Sequence, residues 1–71
     1  MSGYEWLRDS LANYKLPSEK LQPAIQLLQG EDIYAMECFL EISTADLNDL
    51  LLPLSIGLRT AIIGMHKAAQ N

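Results

Sequence analysis

The sequence predicts an all-α fold, a compact five-helix orthogonal bundle. Three observations carry that expectation. Apolar residues recur at helical spacing, with none of the strict alternation of a half-buried strand. Capping residues and prolines divide the 71 residues into five stretches, and only a few residues join one stretch to the next. The chain shows no internal repeat and no low-complexity segment, and its helices are too short for a long coiled coil.

The first helix is expected near residues 4–14. Ser2 followed by Glu5 fits a capping box, and Tyr4, Leu7, Leu11 and Tyr14 follow as an apolar stripe with Trp6 sealing its edge. Leu16-Pro17 ends it, because the residue before proline is pushed out of the helical region. Ser18 caps a second helix with Glu19 near its positive end and Leu21, Ile25 and Leu28 as its apolar face. Pro23 either distorts that helix's early turn or opens it as the first residue. Gly30 is the expected left-handed terminator.

Glu31 and Asp32 open a third, short segment in which Ile33, Met36 and Leu40 share a face. Ser43-Thr44-Ala45-Asp46 resembles a second capping box with Asp in place of the usual Glu, and Leu47, Leu50 and Leu51 point inward. Pro53 closes this fourth helix. Ser55 caps the last, which runs to about Ala69 with Leu58, Ala61, Ile62, Met65 and Ala69 on one face. Gly64 inside that helix costs up to about 1 kcal/mol against Ala, which predicts close packing of another backbone.

Residues 4–70 read as a single domain, preceded by residues 1–3 as a natural start or a cloning remnant. The length lies near the lower limit for folding without a disulfide or a metal, and such a chain buries only roughly 60% of its unfolded surface. A lone cysteine, Cys38, excludes an internal disulfide. With Phe39 and Leu40 beside it, a buried structural thiol is expected. No uncharged run, Leu50 to Leu58 among them, is long enough to span a bilayer, and no targeting segment stands out. These features predict an intracellular, cytoplasmic protein without membrane insertion.

The net charge of −4 argues against general affinity for nucleic acid or anionic membranes. Its distribution is more telling. Between Leu21 and Leu58 there are six acids and no Lys or Arg; the five basic residues are Arg8, Lys15, Lys20, Arg59 and Lys67. The middle of the chain must therefore carry a negative surface.

Residues suited to catalysis are scarce. His66 is the only histidine, which leaves no histidine pair for a metal, and a surface or boundary position near the helix's negative end suits it. Glu37 and Glu41 lie one helical turn apart, but acid–base work needs a cleft that separates their pKa values, so a solvated acidic face is the expectation. The glycines form no phosphate-cradling loop. Asp9-Ser10-Leu11 resembles the phosphopantetheine site of acyl carrier proteins, yet there the serine opens the second helix, whereas Ser10 falls inside the first. No catalytic residue, metal or cofactor is expected, and the chain is read as a non-enzyme.

The whole pattern resembles the sterile alpha motif (SAM) family. Trp6-Leu7 matches the Trp-Leu pair of that family's first helix. Phe39-Leu40-Glu41-Ile42-Ser43-Thr44-Ala45-Asp46-Leu47 is similar to its central apolar run followed by a capped T-x-x-D-L turn. Gly57-Leu58-Arg59 resembles the Gly-His-Arg that opens its last helix, with Ile62-Ile63 at the core offset. The chain departs from the family at Leu51-Leu52-Pro53-Leu54, where Leu-Gly-Ile is usual, at Leu58, and at His66, where an apolar core residue is common.

The resemblance implies a protein–protein interaction module of the scaffold and signalling type. Members associate head to tail, an acidic mid-loop surface meeting a basic or apolar surface at the start of the last helix. The expected mid-loop residues are Glu31, Asp32, Glu37, Glu41, Asp46 and Asp49. The expected end-helix residues are Ser55, Ile56, Gly57, Arg59 and Lys67. The partner would be a second copy or another SAM-like domain. Because two different patches meet, the contact is heterologous and builds chains or rings. Exposed ion pairs contribute only about 0.2–1 kcal/mol each, so an apolar centre at Ile56 must supply affinity. The alternatives are RNA binding through Arg59, His66 and Lys67, and a small acidic carrier modified at Ser10.

Overall fold

The computed structural model describes residues 3–70, and they form an all-α bundle with no strand among them. Five α-helices follow in order: α1 (Glu5–Ser10), α2 (Gln22–Gly30), α3 (Met36–Glu41), α4 (Thr44–Leu50) and α5 (Ile56–Ala69). Short 3-10 turns cover Ala12–Tyr14 and Ser18–Leu21. One core serves every helix. Leu7, Leu28, Phe39, Leu47 and Ile62, one from each in order, are fully covered, and Leu11 and Leu51 join them from the connections. Burying each such side chain contributes about 1.5–3 kcal/mol relative to exposure.

The fourth and fifth helices follow their local signals. Ser43 Oγ accepts the Asp46 backbone N–H at 3.1 Å, the first half of the expected capping box. Leu47 and Leu51 are fully covered, while Leu50 is half-buried. Ser55 has the extended backbone of an N-cap, φ −60° and ψ 154°, but its side chain makes no capping bond. Leu58, Ala61, Ile62 and Met65 are buried as expected, whereas Ala69 is exposed.

His66 explains the difference at Ala69. It completes the inward face at helical spacing from Ile62, and it is fully buried rather than at the surface. Its Nε2 lies 2.9 Å from the Ile42 carbonyl, which requires that nitrogen to carry the proton and donate. The ring meets Phe39 edge-on, 5.0 Å between centroids at 83°. Nδ1 is then left buried without a partner. Imidazole here fills a core position.

The N-terminal half departs further from expectation. Ser2, and with it the expected capping box, lies outside the described residues; α1 begins after Tyr4. The helix stops at Ser10 instead of reaching residue 14. Its continuation tightens into a 3-10 turn that ends on Lys15 in the left-handed region, φ 59°. That reversal turns Tyr14 outward, 43% exposed, across α5. A Cβ on Gly64 would stand 3.1 Å from Tyr14 Oη, so Gly64 accommodates a phenol rather than another backbone. Ser18 starts a 3-10 turn instead of capping a helix, and α2 begins at Gln22 with Pro23 in its first turn, where a missing N–H is harmless.

Gly30 is not the left-handed terminator. It stays helical, and Asp32 adopts φ 60° instead. The Ile33 N–H reaches back to the Leu28 carbonyl at 2.9 Å and the Asp32 N–H to Gln29 at 3.1 Å. This is a Schellman closure, with buried Leu28 and Ile33 at its two apolar positions. Glu31 and Asp32 thus belong to the turn after α2, and α3 starts later, at Met36. Phe39 takes its inward position, leaving Met36 and Leu40 half-buried. A residue one step before Phe39 points about 100° away around the helix. Cys38 is accordingly an exposed thiol, not a buried one.

Candidate functional site

An aromatic corner holds the acidic turn in place. Tyr4 donates its hydroxyl to the Ile33 carbonyl at 2.7 Å, and Trp6 Nε1 donates to the Tyr34 carbonyl at 3.2 Å. Trp6 and Phe39 stack at a tilt, 5.4 Å apart. Residues 31–35, which have no helix of their own, are thereby fastened to α1. Burial pushes the Tyr4 phenol above its ordinary value, with nearby Tyr34 and Asp32 adding in the same direction.

Beyond this corner lies a concavity whose lining includes Glu31, Asp46 and Asp49 together with Ile33, Ile42 and Leu50. The three carboxylates are exposed; Ile33 is buried and the other two apolar residues are half-buried. The Schellman turn delivers Glu31, and the Ser43 cap sets the register of α4, which carries both aspartates. The remaining three acids expected at this surface are exposed but lie outside the concavity. Asp32 Oδ1 accepts a long hydrogen bond from Tyr34 at 3.3 Å, and Glu37 and Glu41 stand on α3. An apolar floor under carboxylates suits a cationic side chain with an apolar stem, or an apolar contact flanked by cations.

The start of α5 is a second surface. Ser55, Ile56 and Gly57 are all exposed, Ile56 to 72%, and Leu52 just before them is 58% exposed. Leu16, Pro17, Pro23 and Pro53 line a mostly apolar hollow that also borders Ser55 and Gly57. Arg59 is half-buried, and its Nη1 donates to the Leu52 carbonyl at 3.4 Å, which holds the guanidinium near this end. Lys67 does not join it. It sits in the last turn of α5, about 16 Å along the axis at 1.5 Å per residue.

One residue of this end escaped sequence reasoning. Lys20 borders the same hollow as Ser55 and Gly57. No local signal connects it to α5, because the approach depends on the path from α1 to α2. Ser10, the candidate carrier serine, is the last residue of α1 and half-buried. No helix among the described residues is long and apolar enough to cross a membrane. Compared with family models, curated proteins and solved structures, the chain matches none.

Proposed function

We propose that the chain is a protein-interaction module of the SAM type. Its carboxylate-rimmed concavity receives the start of α5 from a second copy, or from another domain of the same kind. One observation carries this reading: a single molecule presents both an acidic rim over an apolar floor and an exposed apolar helix start with a cation beside it. Ile56 would bury itself on the floor formed by Ile42 and Leu50, while Arg59 faces Asp46 or Asp49. The positive end of the α5 dipole adds to that attraction. The two surfaces are different, so each contact leaves one of each kind free, and association propagates.

RNA binding is the weaker reading. Arg59 and Lys67 lie at opposite ends of α5 and His66 is buried, so these three residues form no compact basic patch for phosphates. A carrier function is disfavoured because Ser10 ends a helix instead of opening one.

Sedimentation velocity across a concentration series tests the proposal. Wild type should gain mass with concentration, and more so at low salt, because exposed charges are screened within about 10 Å at 0.1 M. Asp46→Lys and Arg59→Glu should each reduce association alone. Mixed together they should form a pair and stop there, since each keeps one working surface. A wild-type chain that stays monomeric at high concentration and low salt would overturn self-association.

A further inference from the structure

We infer that Lys20 is a second docking cation at the start of α5, and that it pairs with a carboxylate of the partner's acidic concavity. The inference rests on the docking reading above and adds to it a residue 35 positions away from Ser55 in the chain. Three observations support it. Lys20 borders the hollow that Ser55 and Gly57 also line, and it is exposed there. Its backbone is fixed: the Lys20 N–H bonds to the Pro17 carbonyl at 3.0 Å, and the next residue, Leu21, is buried in the core. Pro17 and Pro23 stiffen both flanks, so placing this side chain loses little backbone freedom on binding.

The complementary surface has carboxylates enough for a second cation. Glu31, Asp46 and Asp49 offer more carboxylates than Arg59 alone can engage. Two cations near the start of α5 also select for a partner with more than one acid around an apolar floor. A single cation would accept any acidic patch. Lys20 therefore acts as a determinant of specificity as well as affinity.

The test compares Lys20→Glu with Lys67→Glu, which changes the net charge identically at the far end of α5. Self-association is measured by sedimentation at about 0.1 M salt, where the screening length is about 10 Å, and thermal unfolding confirms that both variants remain folded. Lys20→Glu should raise the concentration needed for half-association about five-fold or more, as expected when an exposed attraction becomes a repulsion. Lys67→Glu should change it less than about two-fold, because its charge lies beyond one screening length from the contact. Combining Lys20→Glu with Glu31→Lys, Asp46→Lys or Asp49→Lys in one chain should restore self-association in at least one combination, because the reversed charges then meet across the contact. If Arg59→Glu weakens association while Lys20→Glu behaves like Lys67→Glu, the Lys20 assignment is wrong and the docking reading survives. A monomeric wild type removes both.

Discussion

The two ends of α5 treat apolar surface in opposite ways. At the C-terminal end Met65 and His66 are covered, Phe39 packs edge-on against the imidazole, and Gln70 Nε2 donates to the Leu40 carbonyl at 2.8 Å. At the N-terminal end Ile56 and Leu52 stand in solvent beside a hollow walled by prolines. Covering a side chain such as Ile56 would contribute about 1.5–3 kcal/mol, a large fraction of what so small a domain has to spare. A single exposed Leu needs no explanation, but two large aliphatics gathered at one helix end form a surface suited to a partner. One end of the helix is sealed into the core, and the other leaves apolar side chains in solvent.

The sharpest way to break this comparison is at the closed end. Phe39→Ala should cost about 3–5 kcal/mol, enough to leave much of the population unfolded at room temperature by circular dichroism. If the protein kept its full unfolding midpoint, the closed end would not be the seat of stability. Next in size is Tyr4→Phe. It removes the hydroxyl that satisfies the Ile33 carbonyl and should cost about 1–2 kcal/mol in urea titration. The same variant has a pH signature. Burial raises the folded phenol above the value of 10.0 expected when exposed, so its contribution is complete below about pH 10 and is lost as pH rises through the higher folded value. Tyr4→Phe should therefore lose less stability than wild type over that alkaline range.

Gly64→Ala probes the middle of α5. The new methyl would meet the Tyr14 phenol, closest at Oη, the far end of a partly exposed side chain that can shift by a few tenths of an ångström. Relief of the glycine penalty should win, raising stability by up to about 1 kcal/mol. A lower melting temperature would mean that Tyr14 is held more firmly than its exposure suggests. Smallest in stability is Ile56→Ser at the open end, expected within about 0.5 kcal/mol of wild type. Its effect should fall on sedimentation instead, and a variant that associates normally would remove Ile56 from the contact.

The same contrast explains what could be read from the residues alone. Ser43 capping Asp46, the span of α5 and its Leu58–Ile62–Met65 face depend on neighbours within a turn or two, and all were legible. The all-α class follows from the same local periodicity. The places that misled are settled by distant partners. His66 is buried because Ile42 supplies an acceptor 24 positions away, and Cys38 is exposed because Phe39 claims the space under Trp6 and His66. Gly30 looked like the terminator by composition, yet burying Ile33 moved the left-handed residue two places on, to Asp32. Among the candidate site residues, the family resemblance together with the charge gap pointed to six acids, of which the fold gathers Glu31, Asp46 and Asp49 around one hollow. They also pointed to Lys67, which helix length carries away, and passed over Lys20, which a proline-bounded turn brings in.

The outward thiol on α3 has a practical consequence. With Cys38 as its one cysteine, the protein accepts a single maleimide dye without any substitution, at a position that lines neither hollow. Mixing donor- and acceptor-labelled molecules then reads assembly geometry through energy transfer. In a two-fold pair, transfer grows in proportion to the acceptor fraction. In a filament every donor has a neighbour on each side, so transfer rises more steeply at low acceptor fraction and then levels off.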